Sequence, residues 1–280
     1  MLEQIVGTVI GRWYVTVFGL VFLVLALRHL GVKRTLIYSA IALIVGAAAE
    51  NGSVLVGFPY TSYTFNPALR GHELWIVNVP LMVPMSYAFL AYFAFAAARL
   101  VVSGPYATRG RQPVLEYVLA VVLSTWALWI IDPVIRLGRY HIIGELFSYN
   151  GPGFWFGLPL GSQVGFFCTS AILIGLLSAM MRNETSAPMA GLIRHPRLPA
   201  LLTYLGELIF VVGVAIALAR REGGEIAAIA DPLAGASLII AIPMVLLVAV
   251  YWRSLSRPGS AEPVASDSVA HAVAHQERNS

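Results

Sequence analysis

Seven apolar runs, each close to the roughly 20 residues that carry a helix across a bilayer, constrain this chain more than any other feature. They fall at about 13–27, 36–50, 74–100, 113–131, 160–181, 198–219 and 234–252. Hydrophobic residues make up 58% of the 280 and charged residues 11%, against about 25% charged in soluble domains. The alternating ten-residue segments of a membrane barrel are absent. The expected fold is therefore all-α, a polytopic membrane helical bundle of about seven transmembrane helices. The third run is long and contains Pro80 and Pro84, which predict a kink. The stretch 142–156 is too broken by Gly and Pro to span, and predicts a half-helix or re-entrant segment. Residues 1–253 form one membrane-embedded domain. Residues 254–280 are rich in Ser, Ala, Pro, His and acids and predict a disordered polar tail, in which His271 and His275 face solvent.

Charge sets orientation here, and the net charge of +4 does not call for a nucleic-acid partner. Twelve of the eighteen Lys and Arg fall on one side of the predicted spans and six on the other. The positive-inside rule puts the larger set, and with it the C-terminus, in the cytoplasm, and the N-terminus outside. The N-terminal residues lack the basic segment of a cleaved signal peptide, so the first run is expected to stay as a helix. The one cysteine, Cys168, excludes an intrachain disulfide, and no zinc-ligand cluster occurs. The oligomeric state is left open.

The polar interruption at 50–84, between the second and third runs, carries the chemistry. Ionisable groups within spans are costly and mark functional sites by default. Glu50 ends the second run and Asp132 the fourth, and alternating topology puts both toward the outer face. The competing reading makes both boundary residues. Asn51-Gly52-Ser53 is reasonable helix-stop chemistry, and Asp132-Pro133 reads as a turn. Glu116 reads as a solvated helix start near the inner face. Glu207, in the middle of the sixth run, reads equally as a site residue or a buried structural acid.

Aromatic residues crowd the two connections that follow the acids: Phe58, Tyr60, Tyr63, Phe65 and Trp75 in one, Phe154, Trp155 and Phe156 in the other. They read either as an interfacial belt or as a π-lined pocket that stabilises a carbocation. Asn78 enters an apolar helix in this reading and needs a partner there, as does Gln163, because an unsatisfied buried amide costs several kcal/mol. No acidic diphosphate-magnesium motif, P-loop, dinucleotide-binding glycine pattern or His series for a di-iron centre is present. No metal and no cofactor is expected.

Two separated motifs in this order resemble the carotenoid biosynthesis protein family. The first is Glu50-Asn51, Gly57-Phe58-Pro59-Tyr60, Tyr63-Thr64-Phe65, Leu69-Arg70-Gly71 and Val79-Pro80-Leu81-Met82-Val83-Pro84. The second is Asp132-Pro133, then Phe156-Gly157-Leu158-Pro159-Leu160. The likeness covers residues 36–175. The chain departs from the family pattern at Val56, Asn78, Ser162-Gln163 and Phe166. Characterised members include carotenoid 1,2-hydratases. The resemblance implies a cofactor-independent hydro-lyase in a bacterial cytoplasmic membrane, adding water to a terminal alkene of a hydrophobic polyisoprenoid or carotenoid, with lipid as its surroundings. A carboxylic acid held in an apolar site protonates the alkene, and a second carboxylate positions water. Glu50 and Asp132 are the expected pair, with acid and base unassigned. Tyr60, Tyr63, Phe65, Trp75, Asn78, Trp155, Phe156 and Gln163 are the expected substrate-binding residues. The same apparatus serves a protonation-initiated cyclase if water is excluded. A transporter or lipid-binding protein is the alternative of another class, since broken helices with membrane acids also mark transporters.

Overall fold

The computed structural model describes residues 1–103, 112–150, 153–182 and 197–255. The tail, with His271 and His275, lies outside the described residues from 256 onward. Eight helices are described: α1 (Leu2–Gly11), α2 (Trp13–Leu30), α3 (Val32–Val56), α4 (Met82–Ser103), α5 (Pro113–Arg136), α6 (Leu160–Met180), α7 (Arg197–Arg221) and α8 (Gly224–Leu255). The last seven are long and apolar enough to cross a membrane. The protein is an integral membrane protein with the expected all-α polytopic architecture. α1 precedes the first apolar run and is too short to span.

Four short strands gather where α3 ends and α4 begins: β1 (Tyr63–Phe65), β2 (Trp75–Ile76), β3 (Val79–Pro80) and β4 (Phe147–Tyr149). β1 pairs antiparallel with β4, Tyr63 opposite Tyr149. β2 and β3 form a tight hairpin, whose turn holds Val77 at φ 58.

Several helix boundaries differ from the sequence reading. Asn51-Gly52-Ser53 does not stop α3. Asn51 Nδ2 donates to the Ala47 carbonyl at 2.8 Å and Ser53 Oγ to the Ala49 carbonyl at 2.8 Å, so both polar side chains fold back on their own helix. The stop comes at Gly57, whose φ of 74 forms a left-handed cap. Asp132-Pro133 is not a turn either, since α5 runs through Pro133 to Arg136. Glu50 and Asp132 are thus helix residues rather than boundary residues. Pro80 lies in β3, ahead of α4, and Pro84 in the first turn of α4, where no helical hydrogen bond is lost. The proline kink expected there has no cause. No half-helix forms at 142–150, which holds turns and β4. Asn78 sits in the β2–β3 turn, not in a helix.

The bundle is built round α4, which touches α2, α3, α5, α6 and α7. Most of its most apolar stretch (78%) is buried, against 22% for α3. Its alanines at 88, 91, 94 and 96–98 are all buried, and small residues let membrane helices approach closely. At the far end of the bundle Arg99 on α4 meets Glu116 on α5 at 3.3 Å. Glu116 is therefore a buried, paired group and not a solvated helix start.

α1 lies across the 66–76 loop. A Cβ on Gly7 would meet the His72 carbonyl oxygen at 1.9 Å, so only glycine admits this approach. Thr8 Oγ1 accepts from the Leu74 amide at 2.7 Å. Arg12 follows, buried against Glu73 at 3.0 Å and donating to the Ile143 carbonyl at 2.7 Å. Removing one member of a buried ion pair strands the other. Arg12→Ala is expected to destabilise the protein by about 3–5 kcal/mol, read as a lower thermal midpoint in detergent.

Candidate active site

Inside the bundle, beneath the strands, lies a cavity of about 1070 Å³ with its open mouth included. Glu50 of α3 and Asp132 of α5 both line it. Glu50 is only 5% exposed. Its Oε1 accepts from Tyr87 Oη of α4 at 2.6 Å, and its Oε2 accepts from Tyr63 Oη of β1. Asp132 is half-buried and opens to the cavity. Among the described residues, no hydrogen bond or ion pair joins its carboxyl to another side chain.

Tyr60 is fixed from several sides. Ser53 Oγ accepts from its amide at 2.9 Å, Ser162 Oγ donates to its carbonyl oxygen, and its hydroxyl meets Thr169 Oγ1 at 2.7 Å. The ring stacks with Tyr87 and tilts against Phe166, centroids 6.4 and 5.0 Å away. A Cβ on Gly165 would enter this ring at 2.5 Å, so α6 can carry only glycine where it meets the loop. Tyr63 packs against Phe65, Phe147 and Tyr149, with centroids 5.2–5.8 Å apart. Burial, with the Glu50 charge adding to it, pushes the Tyr60 hydroxyl above the ordinary tyrosine value. Burial, then the Asp132 charge, does the same at Tyr149. Both therefore stand in the cavity wall as neutral hydroxyls.

Of the ten catalytic and substrate-binding residues expected from sequence, Glu50, Asp132, Tyr60, Tyr63 and Phe65 come together around this cavity. The other five do not line it. Trp75 packs edge-on to Phe65 and lies under Arg70, whose guanidinium carbon is 4.5 Å from the ring centre. Asn78 accepts from Arg70 at 3.1 Å and donates its amide to Asn51 at 3.0 Å. Phe156 accepts from Arg136 through its carbonyl. Gln163 is buried on α6, and its amide has no hydrogen-bond partner among the described residues, contrary to expectation. Phe58 and Phe154, 74% and 71% exposed, face outward as belt residues do.

Trp155 has a structural task that the sequence conceals. Pro133 lacks an N–H, so the carbonyl four residues earlier, on Trp129, loses its helical partner. Trp155 Nε1 donates to that carbonyl at 2.9 Å. Trp155→Phe is expected to cost about 1–3 kcal/mol, the penalty for an orphaned buried acceptor. Adding Pro133→Ala, which restores an N–H, should recover most of it. A double-mutant cycle of thermal midpoints reads the coupling, and additive losses would exclude it.

Tyr87, Tyr149, Phe147 and Phe210 line the cavity without having been singled out. Phe166, noted only as a departure from the family pattern, and Glu207, read equally as a site residue or a structural acid, line it too. Tyr87 sits in an almost wholly apolar helix and reads from sequence as filler. Its one signal is a hydroxyl that must find a partner in a dry bundle.

Fold and site together define a polytopic helical membrane protein with three carboxyls, those of Glu50, Asp132 and Glu207, in an aromatic cavity within the bundle. The profile of the family described as carotenoid biosynthesis protein matches residues 10–236, and the chain belongs to that family. It matches no curated protein and no solved structure.

Proposed function

We propose that the protein is a membrane-embedded acid/base enzyme that adds water to a terminal trisubstituted alkene of a polyisoprenoid. The observation that carries this reading is the meeting of Glu50 and Asp132 in one aromatic cavity. Asp132, which accepts no hydrogen bond among the described residues, gives its proton to the less substituted alkene carbon, leaving a tertiary cation. The faces of Tyr60, Tyr63, Phe65 and Phe166 stabilise that charge. Glu50, whose two oxygens are held by tyrosine hydroxyls, positions water and takes its proton as the carbon–oxygen bond forms. The product has gained one water, and a proton returning from Glu50 to Asp132 completes the cycle. Membership of a carotenoid biosynthesis family supports the substrate class. In the orientation given by the Lys and Arg count, the site lies toward the outer face of a bacterial cytoplasmic membrane.

A second reading has support from the same cavity. Its lining is apolar apart from the carboxyls, hydroxyls and the paired Arg12, and where water is kept out the next double bond captures the cation and closes a ring.

The test is expression in a host that makes lycopene, γ-carotene or linear polyprenyl compounds, with mass spectrometry of the extracted lipids. A product heavier by one water supports hydration. A new isomer of unchanged mass supports cyclisation. No change in cells that contain the folded protein overturns both, and solute uptake by proteoliposomes would then favour a transporter.

A further inference from the structure

One group in the cavity has no part in this chemistry. Glu207 of α7 lines the same space as Glu50 and Asp132 and is 2% exposed. Among the described residues, neither of its carboxyl oxygens has a hydrogen-bond partner and no ion pair reaches it. Arg12, the cation in the cavity wall, is held by Glu73 and the Ile143 carbonyl.

Glu207 also lies deeper in the bundle than Asp132. Tyr204, one turn earlier on α7, donates to the Leu123 carbonyl at 2.8 Å. At 1.5 Å per residue, Leu123 stands about 13 Å below Asp132 along α5. α5 and α7 run in the same direction, as the fourth and sixth of seven spans. Glu207, three residues on from Tyr204, is therefore set about 9 Å below Asp132, among apolar residues that include Phe210 and Val211.

A carboxyl in such a place is costly unless something hydrogen-bonds to it. A pure hydrocarbon chain filling the cavity would press methyl and methylene groups against both oxygens and leave the cost standing. The geometry points to Glu207 as a second polar subsite of the cavity, one that takes a hydroxyl group carried by the isoprenoid ligand at a distance from the reacting alkene. The assignment rests on the isoprenoid reading above and refines it. The preferred ligand is an oxygenated chain, anchored by its hydroxyl at Glu207, with its alkene raised to Glu50 and Asp132. A reaction that installs a hydroxyl must then come earlier in the sequence that supplies it.

The test is binding, read without turnover. Geranylgeraniol and the hydrocarbon in which its hydroxyl is replaced by hydrogen are titrated against the full-length protein in detergent, with tryptophan fluorescence as the signal. The wild type is expected to prefer the alcohol. In Glu207→Leu that preference should fall by about threefold to tenfold, the worth of one hydrogen bond, while the hydrocarbon binds at least as tightly as before. Glu207→Gln, which can still accept from a hydroxyl, should keep part of the preference. If Glu207→Leu fails to fold, Glu207→Met replaces it. A wild type indifferent to the hydroxyl, or a Leu variant with unchanged preference, overturns the subsite and leaves the carboxyl to bound water. Absence of hydration in the producing host leaves this test standing. Failure of any form of the protein to bind either chain removes the isoprenoid reading and the subsite together.

Discussion

Asp132→Asn is expected to yield no converted polyene of any kind, a loss of about 10²–10⁴-fold in turnover, the usual worth of a placed general acid. Asparagine fills the same space and carries no transferable proton. Among the described residues, the Asp132 carboxyl is in no side-chain hydrogen bond, so the substitution breaks no contact and the thermal midpoint should hold. Without protonation there is no cation, and hydrated and cyclised products disappear together. Product per mole of protein, measured by mass spectrometry, checks it. Wild-type turnover in this variant would remove Asp132 from the mechanism.

Glu50→Gln is expected to cost hydration by a similar factor, about 10²–10⁴-fold, but to leave a different trace. Asp132 can still protonate the alkene. The cation then lacks a base to bring water to it, and loses a proton elsewhere or closes on a neighbouring double bond. Small amounts of unhydrated isomers should replace the product. Glutamine can accept from one of Tyr63 and Tyr87 and donate to the other, so the contacts that hold Glu50 survive in altered sense and the fold should persist. Isomers from Asp132→Asn and none from Glu50→Gln would reverse the two roles.

Much of the fold was legible because a bilayer admits few solutions. Backbone groups in lipid must be satisfied within the segment, so long apolar runs become helices whatever their finer propensities. The same rule defeats the usual stop signals. Asn51 and Ser53 bond back to their own helix, and Asp132-Pro133 stays helical because a tryptophan from a distant loop covers the freed carbonyl. No local pattern announces either event. The acids were legible because charge is rare in such runs, and Tyr60, Tyr63 and Phe65 because they lie within a few residues of Glu50. Tyr87 and Tyr149 were not, since one is embedded in an apolar helix and the other is brought in by strand pairing. Trp75, Trp155 and Phe156 were credited to the pocket for being aromatic and close in sequence. Arg70, Trp129 and Arg136 hold them elsewhere.

The small β1–β4 ladder has a consequence for how the protein is made. Tyr63 and Phe65 reach their register only against Tyr149 and Phe147, and Thr64 and Ser148 in the same ladder stand 84 residues apart in the chain. The partner strand emerges after α4 and α5 have both been synthesised. A nascent chain that has delivered Glu50, Tyr60 and Tyr63 to the membrane thus holds an unroofed half-site open to lipid. Closure is a late step of biogenesis, and chains released before residue 147 would carry both carboxyls yet no enclosed chamber.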